Sequence, residues 1–174
     1  MNQKRVLVFT GDGKGKSTAS FGMLARALGH DMKVRVIQFV KAQEGVGEML
    51  FFSGFSNVEW DHYGKGFLPT DPASPMMEAH LKAAGEGFEE ALEALGSEEY
   101  DFVLLDEVCF ALSKHLIPLE PLLEAIRNAP SKIIVLTGRN APQELIDVAD
   151  TVTEMRMVKH GYEQGLLSQA GVEE

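Results

Sequence analysis

Four short apolar runs are spread along the chain and separated by segments with helical periodicity. Three of the four are continuously apolar, and all are rich in β-branched or aromatic residues, which is typical of strands buried on both faces. We therefore predict a strand at each of them. The runs cover residues 6–9, 34–40, 102–105 and 133–136.

The clearest helical segment follows Ser74-Pro75 and ends at Gly96. Proline is favoured in the first turn of a helix and glycine just after its end. Helices are also predicted at residues 17–28, 119–128 and 142–149, and a last strand with its exit loop at 149–160. Strands that alternate with helices predict an α/β fold, with a doubly wound, mostly parallel sheet covered by helices on both faces. We expect a single domain over residues 1–174.

Two regions do not follow this alternation, residues 41–73 and the tail from Met155. The first contains six of the fourteen aromatic residues, scattered among glycines. We interpret both regions as functional loops. Three of the aromatic residues are expected to pack in the core, namely Phe51, Phe52 and Phe55. Phe67, which follows Gly66, is instead a candidate for function.

The most informative segment is Thr-Gly-Asp-Gly-Lys-Gly-Lys-Ser-Thr at residues 10–18, directly between a predicted strand and a predicted helix. This is the context of a P-loop, in which backbone N–H groups and the helix N-terminus bind phosphate. The candidate phosphate-binding residues are Gly11, Asp12, Gly13, Lys14, Gly15, Lys16, Ser17 and Thr18. Lys16 would pair with phosphate oxygens from an exposed position in the empty loop, and Ser17 would ligate Mg²⁺. Thr10 stands where the general pattern has its first glycine, and the alternative is a glycine turn with solvated lysines.

Acidic and basic residues follow two of the other predicted strands. Asp106 and Glu107 come after the third run, where P-loop proteins hold their metal ion. Both are candidate Mg²⁺ ligands, although Asp106 could instead hold a loop in place while Glu107 meets the metal. Arg139 follows the fourth run and is a candidate anion contact, because ligands bind at the carboxyl ends of parallel strands. The alternative for Arg139 is a surface or ion-paired role.

Composition narrows the possible functions. The net charge of −10 disfavours general binding to nucleic acid or to anionic lipid. The only cysteine, Cys109, forms no intramolecular disulfide, which favours a cytoplasmic location, and we expect it to pack as a small buried side chain. The apolar run near the start is too short for a signal peptide or a membrane span. The five histidines lack the spacing of a structural metal site.

With these motifs in order, the sequence resembles the P-loop type of ATP:corrinoid adenosyltransferases. The resemblance rests on the segments at residues 10–18, 21–22, 26–27, 36–41, 104–107, 136–139, 150–155 and 158–160. It implies a three-layer, RecA-like fold and a homodimer. It also implies transfer of the 5′-deoxyadenosyl group of ATP to Co(I) of cob(I)alamin or cob(I)yrinic acid diamide, with release of triphosphate, in adenosylcobalamin synthesis or salvage. A flavoprotein reductase would supply the electrons that reduce the cobalt of the corrinoid to Co(I).

The resemblance also assigns roles. Lys16 and the loop backbone would hold the triphosphate, Lys14 would add charge, Ser17 and Glu107 would hold Mg²⁺, and Arg26 would lie near the nucleoside. Relatives have a Gly-Phe-Thr-Trp segment whose rings displace the lower axial ligand of cobalt. Its counterpart here is Gly-Phe-Leu-Pro at residues 66–69, which keeps Phe67 but has proline in place of tryptophan. Two alternatives follow from this departure: the substrate is a different corrinoid, or Trp60 or Tyr63 supplies the second ring.

Two other classes of protein use the same loop. A small-molecule kinase would need an arginine-rich lid, and residues 41–101 contain no arginine. A RecA-like ATPase or a nucleotide switch remains an alternative function. The acidic net charge argues against an ATPase that acts on DNA.

Overall fold

A six-stranded sheet forms the centre of the computed structural model, which describes residues 3–40, 45–71, 73–130 and 133–172. The strands are β1 (Arg5–Thr10), β2 (Val34–Gln38), β3 (Val58–His62), β4 (Phe102–Asp106), β5 (Ile133–Thr137) and β6 (Thr151–Glu154). Their order across the sheet is β3-β2-β4-β5-β1-β6, and every pairing of neighbours is parallel. The helices are α1 (Lys16–Leu28), α2 (Gly47–Phe52), α3 (Pro75–Gly96), α4 (Val108–Ser113), α5 (Leu119–Asn128) and α6 (Gln143–Val148).

Two apolar cores lie on opposite faces of the sheet. On β4, Phe102 and Leu104 pack with α1 and α2, whereas Val103 and Leu105 pack with α3, α4, α5 and α6. Successive strand residues point to opposite faces, so a continuously apolar strand supplies both cores. This confirms the predicted three-layer α/β fold with a parallel sheet.

The region from 41 to 73 is more ordered than predicted, because it contains α2 and the edge strand β3. The prediction of loops throughout is wrong here, while residues 41–44 and 72 lie outside the described residues. The sequence of β3 alternates Val58 and Trp60 with the acidic residues Glu59 and Asp61, so no continuous apolar run marks it. Asp61 is held by the buried guanidinium of Arg35 on β2, at 2.5 Å.

Most predicted helix and strand boundaries agree with the structure within two residues. The end of β2 differs from the prediction for a reason that the backbone conformation shows. The strand ends at Gln38 rather than at residue 40, because Val40 takes a φ of 69° and turns the chain away from the sheet. Positive φ is unusual for a β-branched residue. After β6 the chain continues through a short 3₁₀ helix, Gly161–Gln164, with mostly exposed side chains. Within the described residues, no helix is both long enough and apolar enough to cross a bilayer.

Candidate active site

A cleft of about 780 Å³ opens at the carboxyl ends of the central strands. Ligands bind at this edge in open α/β sheets, beyond the ends of the strands. The predicted site residues that line the cleft are Lys14, Gly15, Lys16, Ser17, Thr18, Phe67, Glu107 and Arg139. Segments from four distant parts of the sequence therefore meet at one place.

The phosphate loop is folded around its second lysine. The side chain of Lys16 is buried, and its Nζ donates a hydrogen bond to the carbonyl oxygen of Gly13 at 2.8 Å. The expectation that Lys16 is exposed in the empty loop is therefore wrong, since the glycine-rich backbone closes around the ammonium group. Lys16 nevertheless lines the cleft.

The outer side of the loop is attached to the chain that follows β6. The amide of Gly13 donates to the carbonyl oxygen of Met155 at 2.6 Å, and the amide of Met155 donates to the carbonyl of Thr10 at 2.7 Å. A Cβ at Gly13 would lie 2.7 Å from the Met155 oxygen, so only glycine fits this close approach. One of the loop amides predicted to face phosphate is thus bonded to Met155.

Thr10 replaces the usual first glycine and joins the phosphate loop to the loop that carries Arg139. Its hydroxyl oxygen accepts a hydrogen bond from the amide of Ala141 at 3.2 Å. The turn between them needs glycine at Gly138, where φ is 132° and a Cβ would lie 2.7 Å from the amide nitrogen of Phe110. Arg139 itself lies 4.0 Å from Asp12, and both side chains are largely exposed, so this ion pair is weak.

The two acidic residues after β4 occupy different environments. Asp106 is fully buried and accepts hydrogen bonds from Ser17 Oγ at 2.9 Å and from Thr137 Oγ1 at 2.6 Å. Glu107 lines the cleft, in a left-handed conformation with φ of 62°. The amide of Glu107 donates to Thr137 Oγ1 at 2.9 Å, which holds this strained conformation. Of the two alternatives left by the sequence, the geometry favours Glu107 as the group that faces a metal and Asp106 as the group that holds Ser17.

The donor set at the floor of the cleft suits Mg²⁺. Ser17 and Glu107 offer a hydroxyl and a carboxylate oxygen beside the phosphate loop. Mg²⁺ prefers oxygen ligands and is usually held by one or two carboxylates together with substrate phosphates. Among the described residues no group of three or more His, Cys, Asp or Glu is arranged to hold a metal ion.

Several candidates lie away from the cleft. Arg26 is exposed ten residues beyond Lys16 on α1, about 15 Å along the helix at 1.5 Å per residue. Trp60 stacks on Phe21 with ring centroids 5.1 Å apart, and Tyr63 packs against Gly87, so the structure brings neither ring into the cleft. Arg26 beside the nucleoside stays a prediction.

The remaining aromatic residues and the cysteine differ in how far their side chains are buried. Phe52 is buried, whereas Phe51 and Phe55 are exposed, so the expectation of core packing is right for one of these three residues. Phe67 is 99% exposed at the mouth of the cleft. Cys109 is fully buried, and burial together with the nearby Glu107 carboxylate raises the pKa of its thiol to about 12.

Sequence reasoning missed part of the cleft wall, including Gln38, Val40, Glu48 and Phe110. Phe110 lies three residues after Glu107, on α4. Its closeness in sequence to the acidic pair could have indicated that it lines the same cleft. Val40 and Glu48 flank the segment 41–44, where no periodicity marks a binding surface. Gln38 is a polar residue at the end of an apolar strand, which is itself a signal of function.

The cleft concentrates positive charge on a strongly acidic protein. Lys14, Lys16 and Arg139 line it together with Glu48 and Glu107, whereas the whole chain carries −10. A local excess of cations attracts a polyphosphate despite the unfavourable net charge. Phe67, Phe110 and Leu68 form an apolar wall within the same cleft.

The chain is similar to known proteins over nearly its whole length. The family described as ATP:corrinoid adenosyltransferase BtuR/CobO/CobP matches residues 2–173. A corrinoid adenosyltransferase of Pseudomonas aeruginosa is 41% identical over 170 residues, covering 97% of this chain and 82% of the relative. The corrinoid adenosyltransferase of Escherichia coli is 35% identical over 169 residues, covering 97% and 84%. That of a Sinorhizobium species is 38% identical over 174 residues, covering 97% and 79%. The extent of these matches shows that the chain belongs to the ATP:corrinoid adenosyltransferase family.

Proposed function

We propose that this chain transfers the 5′-deoxyadenosyl group of ATP to Co(I) of a corrinoid and releases triphosphate. The observation that carries the proposal is the composition of one cleft, in which the phosphate loop and the apolar wall around Phe67 face the same space. A polyphosphate needs the first of these surfaces, and a large macrocycle with apolar faces needs the second.

The reaction is an alkyl transfer. The electron pair of Co(I) forms a bond to the 5′ carbon of the ribose, and the bond from that carbon to the α-phosphate oxygen breaks. Cobalt becomes formally Co(III), and triphosphate leaves with the electron pair of the broken bond. Since Co(I) is a strong nucleophile, no side chain has to act as a general base, and the tasks of the protein are orientation and charge stabilisation.

The residues of the phosphate loop stabilise the charge of the leaving group. Lys14 and Lys16 neutralise the charge that grows on the departing triphosphate, and Arg139 adds a third cation from the loop after β5. Mg²⁺, held by Ser17 and Glu107, would supply further positive charge to the phosphates when bound. These interactions strengthen as the leaving group forms, so they lower the barrier rather than only improve binding.

Phe67 performs a task on the corrinoid side. An exposed aromatic ring at the mouth of a cleft costs solvation energy in the empty protein, and a bound apolar surface would cover it. We assign Phe67 to the lower face of the corrinoid, where it would exclude the axial ligand and ease reduction of Co(II). The substrate is cob(I)alamin or cob(I)yrinic acid diamide, in synthesis or salvage of adenosylcobalamin.

Two partners belong to this proposal. A flavoprotein reductase would supply the electron that converts Co(II) to Co(I), in the reducing cytoplasm that the single cysteine favours. A second copy of the chain would form a homodimer. Exposed apolar side chains after β6, namely Val158, Tyr162, Leu166 and Leu167, offer a surface for such contacts.

The experiment that tests the activity is anaerobic incubation of Co(I) corrinoid with ATP, Mg²⁺ and the protein. The expected product has the absorption spectrum of an alkylated corrinoid, and light abolishes this spectrum by breaking the Co–C bond. Absence of any light-sensitive product would contradict the proposal. A kinase or a nucleotide switch is not favoured, because the family to which the chain belongs carries out adenosyl transfer.

A further inference from the structure

A directed chain of hydrogen bonds begins outside the cleft, at the single tryptophan of the protein. The indole Nε1 of Trp60 donates to Gln38 Oε1 at 3.1 Å, and Gln38 Nε2 donates to Asp106 Oδ2 at 2.9 Å. An indole N–H can only donate, so it fixes which end of the amide faces β3 and which end faces Asp106. Gln38 is almost fully buried, and both ends of its amide are satisfied by these two contacts.

The chain continues from Asp106 to the two groups assigned to Mg²⁺. Asp106 Oδ1 accepts from Ser17 Oγ at 2.9 Å and from Thr137 Oγ1 at 2.6 Å. Thr137 Oγ1 in turn accepts from the amide of Glu107. Because the one hydroxyl hydrogen of Ser17 is directed to Asp106, the Ser17 oxygen can meet a cation only with its lone pairs.

The far end of the chain is fixed by packing and by sheet register. Trp60 stacks on Phe21 with an interplanar angle of 19° and also lies beside Phe52. In the parallel register, Gln38 is paired with Asp106 on β4. The same strand pairs Val36 with Trp60 on β3. The three side chains are therefore held by the three neighbouring strands at the β3 edge of the sheet.

We propose that Gln38 and Trp60 are positioning residues for the metal site, acting through Asp106 on Ser17 and Glu107. The inference rests on the proposed function, since it concerns the Mg²⁺ that accompanies ATP. Partners behind metal ligands commonly change metal affinity by about 10- to 100-fold when they are removed. Gln38 contributes a hydrogen bond that orients Asp106, and Trp60 contributes the donor that orients Gln38.

The test measures ATP affinity with and without metal, using Mn²⁺ in place of Mg²⁺ so that bound metal is also counted by electron paramagnetic resonance. Gln38→Leu removes both contacts of the amide, and we expect Mn²⁺ binding in the presence of ATP to weaken about tenfold or more. Affinity for ATP without metal should fall by a clearly smaller factor, because Gln38 reaches the phosphate loop only through Asp106. A residue needed only for packing would lower both affinities together.

Two further variants keep the test decisive. Trp60→Phe keeps an aromatic ring beside Phe21 and removes the N–H donor together with part of the ring surface. We expect a smaller loss of Mn²⁺ affinity, about two- to tenfold for one hydrogen bond. If Gln38→Leu does not fold, the Mn²⁺ affinity of Trp60→Phe tests the inference in its place. Val36→Ala is the matched control, because Val36 is fully buried beside Trp60 and makes no contact in the chain of hydrogen bonds. It should leave Mn²⁺ affinity unchanged.

The possible results separate the inference from the proposed function. Unchanged Mn²⁺ affinity in folded Gln38→Leu and Trp60→Phe, with a wild-type protein whose ATP binding is strengthened by Mn²⁺, would overturn the inference alone. A wild-type protein whose ATP binding ignores Mn²⁺ would overturn the metal site of the proposed function, and the inference with it.

Discussion

The hydroxyl oxygen of Thr10 accepts a hydrogen bond from the amide of Ala141 at 3.2 Å, which joins the phosphate loop to the loop that carries Arg139. The general P-loop pattern has glycine at this position and could make no such contact. The residue that departs from the pattern therefore connects two of the loops that line the cleft.

Thr10→Gly should lower stability and weaken ATP binding, although it restores the general pattern. Loss of the side-chain contact costs about 0.5–1.5 kcal/mol, and glycine within a strand adds about 0.5–1 kcal/mol. ATP affinity should fall by a few-fold, because the Arg139 loop is held less firmly. Urea denaturation and titration calorimetry measure the two effects. Thr10→Ser is the control, since it keeps the hydroxyl, and equal binding by both variants and wild type would refute the role of this contact.

Lys16→Ala should reduce affinity for MgATP by about 10- to 100-fold, because a charge-assisted contact to phosphate is worth about 1.5–3 kcal/mol. The fold should persist, since the side chain contacts the loop carbonyl of Gly13 rather than either apolar core. Titration calorimetry provides the measurement. Lys82→Ala removes an equal charge from a side chain that is 78% exposed on α3, and it should bind as wild type does. Unchanged affinity in Lys16→Ala would show that the loop does not hold the triphosphate.

Phe67→Ala should slow turnover with Co(II) corrinoid plus reductant much more than turnover with Co(I) prepared in advance. The ring would act on the axial ligand during reduction, and the second assay bypasses that step. Because Phe67 is almost wholly exposed, its removal should leave the unfolding free energy unchanged. Phe51→Ala is a matched control, as Phe51 is 61% exposed and does not line the cleft. Equal losses in the two assays would assign Phe67 to general binding instead.

Cys109 should make the protein less stable at alkaline pH. In the unfolded chain its thiol loses a proton near the ordinary pKa of about 8.5, whereas burial and the Glu107 carboxylate raise its pKa in the folded protein to about 12. The stability linked to this group is present below about pH 8.5 and falls as the pH rises toward 12. Unfolding free energies measured between pH 7 and pH 10 should decline more steeply for wild type than for Cys109→Ala. Parallel curves would contradict the raised pKa.

The sequence alone predicts those parts of the site that depend on a local pattern of residues. Lys16 and Ser17 begin a helix that follows an apolar strand, and Glu107 and Arg139 come within two residues of the ends of two other strands. In a parallel sheet all these positions fall at one edge, so strand prediction alone brings them together. The same reasoning predicted the cores on both faces, because continuously apolar strands such as β4 must be covered twice.

The parts that escaped prediction depend on tertiary contacts. Strand β3 alternates apolar and acidic residues, and its acidic side is balanced by Arg35, a residue 26 positions away from Asp61. The contact between Trp60 and Gln38 arises only from the register of β2 and β3, which no local pattern specifies. The burial of Lys16 follows from closure of the loop around its own lysine, which a count of charges does not reveal.

The phosphorus product of the reaction tests the central claim most directly. Attack at the 5′ carbon of ATP releases all three phosphates as one chain, whereas a kinase or an ATPase breaks the β–γ linkage and forms ADP. The measurement is anaerobic reaction with Co(I) corrinoid, followed by phosphorus NMR or ion-exchange chromatography of the products. We predict inorganic triphosphate in a one-to-one ratio with adenosylated corrinoid. Stoichiometric ADP would contradict adenosyl transfer and favour phosphoryl transfer at the same loop.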